Sequence, residues 1–173
     1  MASPLIDLDP FLDGPGKDAP VRIFEDGRDR AATMRWGYAP MAPGERPVSL
    51  LRSESWKVEQ PCLVPASEFA LKRDGKAKYR AKLITNKPFF CLAGMWRPET
   101  SDWPASFAVL TVPAYPDLEP YKERHVAVVR PEDWFHWLMG TKDKDEVLRP
   151  FSEGSFEVLG APKPKADEGL FGP

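Results

Sequence analysis

The chain has 173 residues, of which 42% are hydrophobic and 29% are charged, so it is long enough to bury one core and form one domain. Its formal net charge of −2 excludes the strong overall basicity of many nucleic-acid-binding proteins, so any DNA contact needs a local cluster of cations. No run approaches the ~18 apolar residues that a membrane span needs, and the N-terminus lacks the basic and apolar regions of a signal peptide. We therefore expect a cytoplasmic protein that does not enter a membrane.

Twenty prolines and twelve glycines are spread along the chain and divide it into short segments, which favours β-strands over a helix bundle. Residues 1–19 are rich in Asp, Pro and Gly and are expected to form an extended lead-in. The first paired strands are predicted at Val21–Phe24 and Ala32–Trp36, because the Asp26-Gly27 dipeptide between them is typical of a tight hairpin turn.

Beyond the hairpin, the middle of the chain is predicted to form a meander. Apolar and β-branched runs bounded by turn residues predict further strands at Cys62–Val64, Phe69–Lys72, Tyr79–Ile84, Phe89–Leu92 and Phe107–Val112. Two helices are predicted at Pro131–Met139, which opens with proline and acidic residues, and at Lys142–Leu148. The sequence thus predicts one domain over residues 20–160 and a tail rich in proline and glycine over residues 161–173.

The two cysteines and two histidines do not form a metal-binding pattern. Cys62 and Cys91 lie in apolar runs, where a thiol usually packs as a small hydrophobic group, and neither histidine has the spacing of a zinc motif. We expect no metal and no cofactor. A catalytic thiol–imidazole pair between either cysteine and His125 or His136 is an alternative, although apolar strands disfavour thiolate formation.

Five short segments with a fixed order and spacing are the most informative feature of the sequence. In chain order they are Met34–Pro40 (MRWGYAP), Cys62–Phe69 (CLVPASEF), Leu92–Trp96 (LAGMW), Leu110–Ala114 (LTVPA) and Pro131–Trp134 (PEDW). Together they resemble the SOS response-associated peptidase (SRAP) family, whose members sense abasic sites in single-stranded DNA. The resemblance covers most of the chain. It implies an α+β fold that is mainly antiparallel β, with a barrel-like single domain and a few short helices.

The resemblance also implies which chemistry is missing. Members of the family carry a cysteine at position 2, whose amine and thiol close a thiazolidine ring on the aldehyde of the abasic sugar. Ala2 stands at that position here, and Cys62 is the first cysteine of the sequence. The family's opening Cys-Gly-Arg has no counterpart before the segment Ala19–Arg22, so either the protein has lost that part or the sequence begins downstream of it.

Three further catalytic positions of the family carry residues of different chemistry. Matching through the flanking segments places Leu50 at the family's active-site asparagine, Leu71 at its general acid–base glutamate and Lys122 at its histidine. General acid–base catalysis alone is worth ~10²–10⁴-fold, and the nucleophile is worth more. We therefore expect a catalytically degenerate member that retains none of the family's catalytic residues.

Other matched positions retain groups that can bind DNA. Arg52, Thr111 and Arg124 match positions that contact phosphates and the sugar in the family, and Lys122 lies next to them in the matched motif. We therefore predict that these four residues contact single-stranded or damaged DNA, in a DNA-damage, SOS or phage setting.

Three alternatives stay open at this point. The two arginines could be structural and form ion pairs with Glu54 or Glu123. Lys122 could form a Schiff base with an abasic aldehyde, which would give a residual DNA lyase or peptidase activity. The fold could also serve as a non-catalytic scaffold for protein–protein interaction.

Two features outside the matched positions each have a functional and a structural interpretation. Lys78, Arg80 and Lys82, the basic stripe, alternate along one predicted strand. They form either a track for a phosphate backbone or the solvated face of an edge hairpin. In the tail, Leu170 and Phe171 follow acidic residues, and they either dock on a protein partner such as a bacterial sliding clamp or fold back onto the domain.

Overall fold

The computed structural model describes residues 7–8, 16–74 and 77–160. Within these ranges the strands are β1 (Asp7–Leu8), β2 (Asp18–Glu25), β3 (Arg28–Trp36), β4 (Leu50–Arg52), β5 (Pro61–Ala66), β6 (Glu68–Asp74), β7 (Ala77–Leu83), β8 (Phe90–Arg97), β9 (Ser106–Pro113), β10 (Arg124–Val126), β11 (Val128–Val129) and β12 (Phe156–Leu159). The helical segments are a 3₁₀ turn at Pro131–Asp133, α1 at Trp134–Met139 and α2 at Lys144–Val147. None of the described helices is long and apolar enough to cross a lipid bilayer.

The two ends of the chain are described only in part. The tail predicted at residues 161–173, with Leu170 and Phe171, lies outside the described residues, as does most of the predicted lead-in. Within the lead-in, β1 pairs with β6 and β2 begins at Asp18.

Five of the strands close into a small barrel. β2 pairs with β3 and β5, β5 pairs with β8, and β9 closes the ring by pairing with both β8 and β3. The predicted α+β fold with a barrel-like ring of strands is therefore confirmed. Most pairings are antiparallel, but β1–β6, β3–β9 and β4–β9 are parallel, so both sheets are mixed.

A second sheet, in the order β1-β6-β7-β12, packs on the barrel through aromatic side chains. The ring centroid of Phe69 in β6 lies 6.1 Å from that of Phe90 in β8 and 6.2 Å from that of Phe156 in β12. Tyr115 and Phe151 add rings whose centroids lie 5.4 and 5.2 Å from Phe156. Such pairs gain about 0.5–1.5 kcal/mol each beyond the burial of their area, so the cluster fixes the second sheet against the barrel.

The predicted N-terminal hairpin is confirmed. β2 and β3 pair in register up to Glu25 and Arg28, which leaves Asp26 and Gly27 as a two-residue turn. The φ angles of the turn residues are 54° and 76°. Two positive φ angles define the type I′ turn, and Asp-Gly adopts them at low cost, so the dipeptide was enough to predict the turn.

The predicted elements of the middle and C-terminal parts are also found, with different lengths. The five strands predicted for the middle of the chain correspond to β5 to β9. The predicted meander is wrong, because β6 and β7 belong to the second sheet and β5 pairs with β8 instead of β6. The helix predicted at Pro131–Met139 is a 3₁₀ turn that continues into α1 and ends at Gly140, whose φ is 67°. The second helix is shorter than predicted. β1, β4, β10, β11 and β12 were not predicted, because strands of two to four residues form only through their tertiary pairing.

The basic stripe lies on an interior strand, because β12 pairs with β7 on the side opposite β6. The interpretation as an edge hairpin is therefore wrong. The predicted alternation is observed at the end of β7, where Ala81 and Leu83 are buried and Lys82 between them is exposed. Arg80 forms an ion pair with Glu68. The Glu68 carboxylate therefore neutralises one of the three charges of the stripe.

Gly94 marks the closest approach of three barrel strands. A Cβ atom at this position would lie 2.9 Å from Sγ of Cys62, 3.0 Å from the carbonyl oxygen of Ala108 and 3.3 Å from the side chain of Val64. Real Cβ atoms do not approach other heavy atoms so closely. β5, β8 and β9 therefore need a residue without a side chain at this position to pack as they do.

We expect Gly94→Ala to lower the free energy of unfolding by about 1–3 kcal/mol, as overpacking of a dense core usually does. Cys62→Ala removes one of the atoms that the new methyl group meets. The double variant should therefore lose less stability than the sum of the two single changes. Urea denaturation of the wild type and the three variants measures this coupling, and strict additivity would show that the Cys62 sulfur is not the clashing atom.

Candidate functional site

The C-terminal half of β9 carries the candidate site, where it pairs with β4 in parallel and with β10 antiparallel. Arg52 of β4 and Val126 of β10 both lie opposite Thr111 of β9. Opposite residues share a face of the sheet and side chains alternate along each strand, so Leu50 and Arg124 lie on that same face. Three strands thereby present five side chains to one side of the sheet.

This shared face is one wall of a cavity of about 230 Å³. Its lining also includes Trp36 from the end of β3, Ala70 from β6, and Lys122 and His125, which lie close to Arg124 in the sequence. We name it the cationic cavity. The structure brings to it all of the residues that the sequence predicts to contact DNA, which are Arg52, Thr111, Lys122 and Arg124.

The position of β4 is set at both of its ends. Before the strand, the indole Nε1 of Trp36 donates a hydrogen bond of 2.9 Å to the carbonyl of Ser49, while its ring stacks on Phe107 with 6.4 Å between centroids. After the strand, the ammonium group of Lys144 in α2 donates to the carbonyl of Ser53. The backbone that carries Arg52 is therefore held against the barrel from both sides.

Arg124 is engaged with protein groups. Its Nη1 donates to Oε2 of Glu54 and its Nη2 donates to Oε1, each at 2.7 Å. Nη2 also donates to the carbonyl oxygen of Thr111 at 2.8 Å. The pKa of Glu54 is lowered to about 2, chiefly because Arg124 donates to its carboxylate. For Arg124, the structural ion pair with Glu54 is confirmed.

Arg52 is in a different state. Its side chain is exposed, and it makes no hydrogen bond or ion pair with any residue that the structure describes. The ion pair with Glu54 or Glu123 is wrong for this residue, because the Glu54 carboxylate is bound to Arg124. Arg52 therefore offers a guanidinium group that is available to an external anion.

Lys122 lies half-buried in the loop between β9 and β10. Its N–H donates to the carbonyl of Leu118 at 3.1 Å, and Asp117 accepts three backbone N–H groups from residues 154–156 at 2.8–2.9 Å, which fastens the loop to the second sheet. Burial lowers the pKa of the Lys122 ammonium group. No carboxylate in the described part of the chain pairs with it.

His125 is buried at the cavity in its neutral form. Its Nε2 accepts a hydrogen bond of 3.0 Å from the N–H of Tyr115, and its Nδ1 lies 2.8 Å from the carbonyl oxygen of Val126. A carbonyl oxygen can only accept, so Nδ1 carries the proton. Burial lowers the pKa of the imidazole to about 4, and the positive charges of Lys122 and Arg124 act in the same direction.

The alternative of a catalytic thiol–imidazole pair is wrong. Burial raises the pKa of both thiols, to about 12 for Cys91, so Cys62 and Cys91 stay protonated. Both ring nitrogens of His125 are bonded to the backbone, and Nδ1 of His136 contacts Oγ1 of Thr141 at 2.7 Å. In the described part of the chain, no group of three or more His, Cys, Asp or Glu side chains is placed to hold a metal ion.

The residues that sequence matching assigns to the family's catalytic positions lie only partly at the cavity. Leu50 lines the cationic cavity, and 43% of its surface is exposed. Leu71 is fully buried in the core and does not line the cavity, whereas its neighbour Ala70 does. The pairing of β6 with β7 shifts register between Ala70 and Lys72. Such a bulge changes which side chain faces each side of a sheet, and it leaves no clear signal in the sequence.

A larger cavity of about 410 Å³ lies between the hairpin and α1 and shares no lining residue with the cationic cavity. Its walls are mainly apolar and include Trp134 and Phe135 of α1. Its two charged residues, Arg22 and Asp29, bond to each other at 2.7 Å. It offers no unpaired charge to a polyanion, so the smaller cationic cavity is the better candidate for a DNA site.

The neutral, buried His125 predicts a specific pH dependence of stability. Its pKa is about 4 in the folded protein against 6.5 for the ordinary group, so the unfolded chain takes up the proton at the higher pH. The free energy of unfolding therefore keeps its full value above pH 6.5. It decreases as the pH falls towards 4, by about 3 kcal/mol over the full range. The free energy of unfolding in urea, measured from pH 7.5 to 4.5, should show this decrease.

His125→Gln should be less stable than the wild type at pH 7.5. Its free energy of unfolding should, however, change much less than that of the wild type between pH 7.5 and 4.5. The matched variant His136→Gln should retain the decrease. An unchanged pH dependence in His125→Gln would show that another group causes the decrease.

Comparisons with known proteins agree with the fold and the matched segments. The family described as SOS response associated peptidase (SRAP) matches residues 13–161. A solved structure of a protein from Bacteroides thetaiotaomicron has a TM-score of 0.62 and 17% identity, covering 86% of this chain and 75% of that one. A phage-related protein from Bordetella bronchiseptica has a TM-score of 0.63 and 21% identity, covering 87% of this chain and 80% of that one. No curated protein matches the chain.

Sequence identities this low show a shared fold and nothing more. The family match, in contrast, spans most of the sequence and includes all five of the short segments between Met34 and Trp134. The chain belongs to the SOS response-associated peptidase family.

Proposed function

We propose that this SRAP-family protein binds single-stranded DNA non-covalently in the cationic cavity and that it does not carry out the family's covalent reaction. The observation that supports this most strongly is the convergence of Arg52, Thr111, Lys122 and Arg124 on one cavity. Within the described part of the chain, the guanidinium group of Arg52 has no hydrogen-bond or ion-pair partner. A guanidinium group presents a planar fork of donors that matches a phosphate, so an unpaired one at a cavity is suited to the DNA backbone.

The net charge of the chain does not oppose this proposal. The cavity lining contains three cationic side chains and no carboxylate, and among the described residues only Arg124 of the three has an acidic partner. At physiological ionic strength, charges more than ~8–10 Å away are largely screened. A DNA strand at the cavity therefore experiences the local excess of positive charge more than the overall value of −2.

The cavity lining also supports the loss of the family's reaction. The resemblance matches Leu50 to the asparagine and Lys122 to the histidine, and both residues line the cavity together with the apolar Ala70 from β6. The remaining imidazole, that of His125, has both nitrogens bound to the backbone. No group in the described lining can act as a carboxylic general acid.

A DNA-damage or phage setting in the cytoplasm is part of this proposal. The family's description refers to the SOS response. One of the two similar structures belongs to a protein described as phage-related. Both statements concern the relatives, and they make damaged or replicating single strands the first ligands to test.

We expect Arg52→Gln to weaken binding of an oligothymidylate. The slope of log Kd against log salt concentration should decrease by ~0.7, which corresponds to one phosphate contact on a single strand. Arg28→Gln is a matched control, because Arg28 is exposed at the hairpin tip, at the opposite end of β3 from Trp36. Fluorescence anisotropy at several salt concentrations measures both changes.

Equal losses in the two variants would contradict the assignment of DNA to the cavity. Absence of binding by the wild type at low salt would contradict the proposal as a whole and favour the alternative of a protein-interaction scaffold.

Lys122 supports a second candidate function, a residual reaction with abasic DNA. Its amine lies in the cationic cavity, half-buried and without an acidic partner among the described residues, and burial lowers its pKa. A neutral amine can attack the aldehyde carbon of an abasic sugar, and loss of one water molecule then gives an imine. The imine hydrolyses unless it is reduced, so any adduct is reversible.

Incubation with single-stranded DNA that contains an abasic site should therefore give no heat-stable adduct on a denaturing gel. Addition of borohydride should trap a small amount of covalent complex, because hydride reduces the imine to a secondary amine. Lys122→Ala should abolish trapping, whereas Lys82→Ala, an exposed lysine on β7, should not. Trapping that is equal in both variants would rule out Lys122 as the reacting amine.

A further inference from the structure

Glu54 contacts the cationic cavity only through Arg124, and the family resemblance assigns it no role. We propose that Glu54 is an internal competitor of DNA phosphate: its carboxylate occupies Arg124 in the free protein and must move away before Arg124 can bind a phosphate. This inference rests on the proposed binding of DNA in the cationic cavity. It assigns different roles to the two arginines, with Arg52 making the first contact and Arg124 a contact that forms only after displacement of Glu54.

Few of the N–H donors of Arg124 are available to an external anion. A guanidinium group has five N–H bonds, and three of them are used here, two by the Glu54 carboxylate at 2.7 Å and one by the carbonyl of Thr111 at 2.8 Å. The Nε of Arg124 is buried and has no hydrogen-bond partner among the described residues, so it faces away from solvent. Only one hydrogen, on Nη1, is left for an external oxygen. A phosphate cannot form the paired contact with Arg124 while Glu54 stays in place.

The surroundings of Glu54 allow its side chain to move away from Arg124. The side chain of Glu54 keeps 48% of its surface exposed, whereas that of Arg124 keeps 22%. Apart from Arg124, the Glu54 carboxylate accepts a side-chain hydrogen bond from the hydroxyl of Ser53 at 3.1 Å. The backbone at Ser53 is held by Lys144, so the movement is a rotation of the Glu54 side chain into water and not a shift of the strand.

The difference between the arginines follows from this arrangement. Arg52 has no partner in the described part of the chain and is exposed, so a phosphate can bind it without displacing anything. Glu54 and Thr111 hold Arg124 in position in the cavity. When DNA binds, Arg124 exchanges the Glu54 carboxylate for a phosphate. Binding at Arg124 is therefore weaker in the wild type than its charge alone suggests.

The test is a comparison of oligothymidylate binding by wild type, Glu54→Gln and Glu123→Gln. Glu123 is exposed and directly precedes Arg124, and it makes no ion pair with any described residue, so its variant has the same change of charge without releasing Arg124. We expect Glu54→Gln to bind about tenfold more tightly than the wild type. The salt slope should steepen by ~0.7, for one additional phosphate contact. Glu123→Gln should change Kd by no more than about twofold.

The double variant Glu54→Gln, Arg124→Gln locates the effect. If Glu54 competes for Arg124, the gain from Glu54→Gln disappears in the double variant. Equal effects of Glu54→Gln and Glu123→Gln, or weaker binding by Glu54→Gln, would overturn the inference about Glu54. The proposed function would still hold in that case if DNA binding by the wild type depends on Arg52. Tight binding by Glu54→Gln with none by the wild type would support the competition between Glu54 and phosphate but would contradict the proposed function of the wild-type protein. Absence of binding by every variant would overturn both.

Discussion

β9 is the strand on which both the barrel and the cationic cavity depend. Its N-terminal half closes the barrel by pairing with β3 and β8, and its C-terminal half aligns β4 and β10. A strand has only two edges, so each of these pairings restricts the others. A shift of one residue in the register of β4 would turn Arg52 away from Thr111 and bring the buried Leu51 to the cavity. Barrel stability and the composition of the site are therefore linked through the same hydrogen-bond ladder.

Three cations of the cavity have the same formal charge but three different environments. Arg124 is neutralised by a carboxylate, Lys122 is partly desolvated, and Arg52 is exposed with no partner in the described part of the chain. The energy of a charge in a protein depends on its solvation and its neighbours, so these residues are not equivalent binding groups. The local pattern of pairing, and not the number of basic residues, decides which of them meets an anion first.

The proposed loss of the family's reaction rests on the walls of the cavity as much as on single residues. Sequence matching identified Leu50, which does line the cavity, and Leu71, which does not, because a register shift in β6 brings Ala70 to that wall. The sequence predicts no role for His125 other than as a possible partner of a cysteine, whereas in the structure it lines the cavity. Its backbone hydrogen bonds bring it to the cavity as a buried, neutral support.

The sequence by itself determined the family, the α+β barrel-like class, the hairpin at Asp26-Gly27 and the extent of the first helical segment. The hairpin and the helical segment depend on turn residues and on helix-start residues, which lie next to one another in the chain. The family and the fold class depend on the resemblance that the order of the five short segments carries. Only the tertiary structure decided that Glu54 pairs with Arg124 and leaves Arg52 available, because the paired residues are 70 positions apart and both arginines are equally plausible partners in the sequence. Short strands such as β4 and β10 likewise exist only through pairing, since two or three residues have too little intrinsic preference to form a strand alone.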